Sequence, residues 1–137
     1  MKLKTKKKEN LYLSLIFTVV FLLINLYSIK KYHMYSDVLD DTKCISYIYL
    51  NKKMHTGGKG SYYVMEVDYR GEIYNVSLTE RMFNKIDNGF LPKLFHTPDD
   101  EIITNWNLII AKRVLIVSIL GFLISSVIFL LLLFKKK

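Results

Sequence analysis

At 137 residues, 51% hydrophobic and 23% charged, the chain has room for one small domain plus accessory segments. The formal net charge of +8 would suit a nucleic-acid binder, but its placement excludes that reading. Lys2, Lys4, Lys6, Lys7 and Lys8 against Glu9 give +4, Lys135, Lys136 and Lys137 give +3, and the stretch from Lys30 to Arg113 holds 12 basic and 11 acidic residues, so the excess flanks apolar runs. One cysteine, Cys44, excludes an intramolecular disulfide or a multi-cysteine metal site.

In chain order, residues 1–10 read as a basic cytoplasmic tail. Residues 11–29 (LYLSLIFTVVFLLINLYSI) carry no charge and as a helix would span about 28 Å, the thickness of a bilayer's hydrocarbon core. Lys30-Lys31-Tyr32-His33 follows instead of a small-x-small cleavage site, so this run is expected to be a retained anchor rather than a signal peptide. Its polar residues Ser14, Thr18, Asn25 and Ser28 fall within roughly 80° of one another around the helix. They form one stripe, suited to packing on another helix.

Residues 30–107 are expected to form a small extracytoplasmic domain, mainly β, of about five strands and OB-like or SH3-like size. Lys30 to Asp40 reads as a connector that continues the first helix for a turn or two. Lys43 to Lys52 (KCISYIYLNK) is rich in Ile and Tyr and predicts a strand. His55-Thr56-Gly57-Gly58-Lys59-Gly60 predicts a flexible loop. Ser61 to Tyr69 alternates, with Tyr63, Met65, Val67 and Tyr69 on one face and Glu66 and Asp68 on the other. Arg70-Gly71 is a turn, and Glu72 to Leu78 returns with Tyr74, Val76 and Leu78 inward. Thr79 to Asn88 predicts a short helix with Thr79 as N-cap and Gly89 beyond its end. Phe90 to Phe95 (FLPKLF) predicts an edge strand, since Pro92 lacks a ladder donor. Thr97-Pro98-Asp99-Asp100 is a turn, and Glu101 to Thr104 a last strand.

Residues 108–134 form the second apolar run, with the helix starting near Asn105. Lys112 and Arg113 would reach back to the headgroup level and Trp106 would anchor at the interface. Ser118, Gly121 and Ser125 share one face, Gly121-x-x-x-Ser125 being a small-xxx-small pair that lets helix backbones approach. The expected use of both polar faces is to pack the two spans together, with a homodimer as the other use. Residues 135–137 close the chain as a second basic tail. The lysines outside the spans place both termini on the cytoplasmic side of the cell's inner membrane. The architecture expected is therefore an α+β membrane protein, two transmembrane helices flanking the small β domain.

The stretch from Gly57-Gly58-Lys59-Gly60-Ser61-Tyr62 through Tyr69-Arg70-Gly71-Glu72-Ile73-Tyr74, with Asp87-Asn88-Gly89-Phe90-Leu91-Pro92 through Thr97-Pro98-Asp99-Asp100, resembles a bacterial membrane-protein family known as domain of unknown function 3592. That resemblance implies a helix, a small extracytoplasmic β domain and a second helix. It implies no catalytic residue. Where the family carries Tyr-Asp/Asn-Pro, this chain has His96-Thr97-Pro98.

The residues that do chemistry elsewhere are scattered. Asp40-Asp41 and Asp99-Asp100 sit in connector and turn, where neighbouring carboxylates cap and solvate. His33, His55 and His96 lack ligand spacing. Cys44 and His55 have no accompanying nucleophile motif. The expectation is a non-enzymatic protein with no cofactor and no metal, whose partners are the lipid bilayer and an envelope or membrane protein. Candidate contact residues are Gly57, Gly58 and Tyr62 at the glycine-rich loop and Phe90 and Phe95 on the edge strand. The alternative function is a small immunity-like or regulatory inhibitor acting through its helices.

Overall fold

The computed structural model describes residues 2–41, 43–58 and 60–134, so the tail expected at 135–137 and Lys59 of the glycine-rich loop lie outside it. The elements are α1 (Lys2–Asp41), β1 (Ile48–Gly57), β2 (Gly60–Tyr69), β3 (Glu72–Leu78), α2 (Glu80–Ile86), β4 (Phe95–His96), β5 (Ile102–Ile103) and α3 (Asn105–Phe134). The class is mixed α and β, with two long apolar helices and a small antiparallel sheet. Both α1 and α3 are long and apolar enough to cross a bilayer. Residues 2–10, expected as a tail, belong to α1, and so does the connector through Asp41. No proline or glycine interrupts this stretch, so nothing in the sequence stops the helix there.

The chain divides into two compact units, residues 1–32 with 111–137, and residues 33–110. In the first unit α1 and α3 pack antiparallel. Burial along α1 recurs at Leu11, Ser14, Thr18, Phe21, Asn25 and Ser28, and along α3 at Ala111, Leu115, Ser118, Phe122, Ser125, Phe129 and Leu132. Alternating steps of three and four residues make a seven-residue repeat, the spacing that keeps a seam facing its partner along two supercoiled helices. The residues outside this seam, such as Ile16, Leu23 and Leu26 on α1 and Val117, Ile124 and Leu131 on α3, are large, apolar and exposed.

In the second unit β1, β2 and β3 form an antiparallel meander in that order. Met65 and Val67 of β2 and Val76 and Leu78 of β3 bury one sheet face, as the alternation predicts. Against them pack Ile86 of α2, Leu94 and Ile102. Thr79 caps α2, its hydroxyl accepting from Met82 N at 3.1 Å. Past Asp87, Gly89 turns the chain at φ 78 and Phe90 N donates to Lys85 O at 3.2 Å. The Arg70-Gly71 turn has φ of 59 and 86, the pair of positive values of a type I′ hairpin. Thr104 starts α3, its hydroxyl accepting from Trp106 N at 3.2 Å.

Three expectations are corrected. The expected strand at residues 43–52 begins only at Ile48, because Ile45 N is already used by Leu94 O at 2.9 Å. The loop expected at residues 55–60 is largely strand, since β1 and β2 stay paired out to Gly57 and Gly60. The expected edge strand at residues 90–95 shrinks to Phe95 and His96, and β4 pairs only with β5. The five strands therefore fall into two separate sheets rather than one small barrel.

Candidate functional site

The helix pair is held by one polar clasp. Asn25 Nδ2 donates to Ser118 O at 3.1 Å and to Phe21 O of its own helix at 2.9 Å. Ser118 Oγ donates back to Asn25 Oδ1 at 2.8 Å, with the Leu115 carbonyl 2.9 Å away. Both residues are buried, and amide and hydroxyl satisfy one another across the seam. Thr18 donates to Ser14 O and Ser125 to Phe122 O, each within its own helix. Ser14 Oγ is buried with no hydrogen-bond partner. Gly121 faces Phe21, and a Cβ there would lie 2.5 Å from Phe21 Cε1. Its missing side chain therefore serves contact between α1 and α3. The structure thus brings Asn25, Ser118 and Gly121 to one seam and lines that seam with Ser14, Thr18 and Ser125.

In the second unit, β1 and β2 run on together beyond the end of β3. Tyr63 is the last β2 residue paired with β3, through Leu78, so His55 to Gly57 and Gly60 to Tyr62 continue as a two-stranded ribbon. Tyr62 is 60% exposed, and its ring stacks on His55 at 4.7 Å between centroids. Met54, paired with Tyr63 and so on the other face, is 55% exposed. Gly57 and Gly58 have open space around them, so a side chain there would meet nothing. Among the described tyrosines of this unit, Tyr62 alone is exposed. Tyr63 packs on Phe83 at 5.0 Å, and Tyr47 donates to Pro92 O at 2.6 Å, with burial raising its pKa. Phe90 is exposed, but Phe95 is buried. As the first β4 residue it turns into the interior, which corrects its expected place on a contact edge.

Sequence reasoning missed one polar cluster. Tyr74 Oη lies 2.9 Å from Glu72 Oε2 and 3.1 Å from Asp100 Oδ1. His96 Nε2 sits 2.7 Å from the same Asp100 oxygen, and the Tyr69 ring is 5.3 Å from the His96 ring. The Glu72 hydrogen bond, then partial burial and the Asp100 contact, push the Tyr74 pKa well above its usual value. The His96 and Tyr74 hydrogen bonds hold Asp100 below its usual range. Twenty-six residues separate Tyr74 from Asp100, so no local spacing announces the group. The only sequence signal is the Asp99-Asp100 pair in its turn. Among the described residues, no group of three or more His, Cys, Asp or Glu side chains is placed to hold a metal ion.

No protein-family model, curated protein or solved structure matches the chain. The clasp satisfies Asn25 and Ser118 across the seam, Thr18 and Ser125 bond within their own helices, and large residues that the pair leaves outward, such as Leu23 and Val117, are apolar. Among the described residues of 33–110, aromatic and titratable side chains gather at the ribbon tip and in the Tyr74 cluster.

Proposed function

We propose that the protein is a membrane-anchored accessory module. In this reading α1 and α3 cross the bilayer, both termini are cytoplasmic, and the β domain contacts an envelope protein or ligand outside. The observation that carries the reading is the inverted polarity of the helix pair. Ser14, Asn25, Ser28, Ser118 and Ser125 are buried, while large apolar residues such as Leu23, Leu26, Val117 and Leu131 are exposed. Water would penalise that surface at about 25 cal/mol per Å² of apolar area, whereas hydrocarbon does not.

Contact falls to the β domain because Asn25 and Ser118 satisfy each other, leaving the helix pair little to select a partner with. The projecting ribbon offers Tyr62 on one face and Met54 on the other, an amphipathic ring and a flexible apolar side chain of the kinds enriched at interfaces. A photo-crosslinking amino acid placed at position 62 tests this in cells. The expected product is one discrete adduct, absent when the crosslinker sits at exposed Ile73. Equal diffuse adducts from both positions would remove the ribbon as the contact.

A further inference from the structure

We infer that Asn88 is a latent site of spontaneous modification, its side-chain amide displaced by the next peptide nitrogen whenever the end of α2 opens. Asn88-Gly89 is the one Asn-Gly step in the sequence. Glycine carries no Cβ, so its nitrogen can approach the side chain before it. In the reaction Gly89 N gives up its proton and bonds to Asn88 Cγ, closing a five-membered imide. The bond from Cγ to the amide nitrogen breaks, and that nitrogen leaves as ammonia with the proton. Water then opens the ring at either carbonyl, leaving an aspartyl or an isoaspartyl residue. One water is consumed and one ammonia released, with no change of oxidation state.

The fold exposes the electrophile and withholds the nucleophile. Asn88 is exposed. Gly89 N donates to Ile86 O at 2.9 Å, so a carbonyl of α2 holds the proton that must leave. Asn88 N and Phe90 N both donate to Lys85 O, at 3.1 and 3.2 Å, which fixes the chain on either side. Gly89 at φ 78 completes this cap. Ile86 is buried in the core under the sheet, so its carbonyl moves only with the last turn of α2. The reaction therefore waits on a local opening of that turn. Its product does not refit. A carboxylate at position 88 adds charge beside Asp87, at the end of the helix whose dipole is already negative. The isoaspartyl form also puts an extra methylene into the main chain within the cap. The change is a one-way mark of α2 having opened, next to exposed Phe90.

The test uses the full chain in mild detergent, incubated in mildly alkaline buffer with and without enough urea to unfold the β domain. Peptide mapping by mass spectrometry follows the conversion of amide to acid. Conversion at Asn88 is expected to be at least about tenfold slower without urea than with it. Asn75 and Asn84, followed by valine and lysine, give the background. Lys52→Ala removes the ammonium that Phe83 O and Asp87 share at this end of α2. It should raise the rate without urea and leave the rate in urea unchanged. Thr79→Ala, which uncaps the other end of α2, is the second variant. Equal rates at Asn88 with and without urea overturn the inference, because the cap would then protect nothing. So does conversion of Asn75 or Asn84 as fast as Asn88 in urea, or a rate without urea that neither substitution raises.

Discussion

Asn25 and Asp100 show how differently one side chain acts in the two units. Asn25 is buried in a seam, where its amide has little to bond with except Ser118 and its own helix. Asn25→Leu is expected to lower the stability of the helix pair by about 1 kcal/mol. The double variant with Ser118→Ala should cost less than the sum of the singles, as read from unfolding in detergent. Asp100 is exposed and adopts φ 61, a left-handed conformation that Asp tolerates better than most residues. His96 and Tyr74 depress its pKa, so its contribution to stability is present above the unfolded carboxylate value of about 3.9. That contribution is lost as pH falls through the lower folded value. Tyr74 has the opposite sign. Its raised pKa gives a contribution present below about 10 and lost as pH rises through the folded value. Melting curves should therefore show Asp100→Asn flattening the acid limb and Tyr74→Phe flattening the alkaline limb. If each variant tracks the parent chain at both extremes, the cluster is not coupled to folding.

Among the elements, α2 depends on a lysine outside it. Lys52 points to the core face of β1, its side chain 17% exposed. Its ammonium donates to Phe83 O at 3.1 Å, pairs with Asp87, and lies 4.2 Å from the centre of the Phe83 ring. A cation at the C-terminal end of a helix also meets the negative end of its dipole. Lys52→Ala is expected to cost about 1–3 kcal/mol, by loss of charged hydrogen bonds and of the stem's packing. Lys52→Met should recover the packing part, and urea titration of the two variants separates them. The Arg70-Gly71 turn makes an opposite prediction. Arg70 holds φ 59 without being glycine or asparagine, so Arg70→Asn should raise the midpoint, offset in part by losing the guanidinium 5.0 Å from the Tyr69 ring. β2, β3, α2 and the start of α3 were legible because each carries a local signal: alternation, a two-residue turn, the Thr79 cap, and the apolar residues Leu108 to Ala111 ahead of Lys112. β1 was displaced because residues 43–47 look like a strand, yet their backbone bonds go to a distant segment, as Ile45 N to Leu94 O shows. Phe95 reads as part of an edge, but only long-range packing decides which way it faces. For the same reason the sequence marks the Tyr74–Asp100–His96 cluster only through the Asp99-Asp100 pair.

At the scale of the whole molecule, topology can be tested without adding a residue. Cys44 is the chain's sole cysteine and is exposed. If the β domain lies outside, a membrane-impermeant maleimide should label Cys44 on intact cells, and prior lysis should add little. Labelling only after lysis would invert the orientation, and release of the protein by alkaline carbonate would argue against spanning helices. The seven-residue spacing shared by α1 and α3 also predicts how the gene can change. Swapping one outward aliphatic residue for another, as at Leu23 or Val117, leaves the seam untouched. Inserting or deleting a single codon between Ser14 and Asn25 would rotate everything on one side of it by about 100° and pull the amide out of register with Ser118. Descendants of this gene should therefore drift freely in letters and hardly at all in length across these two segments.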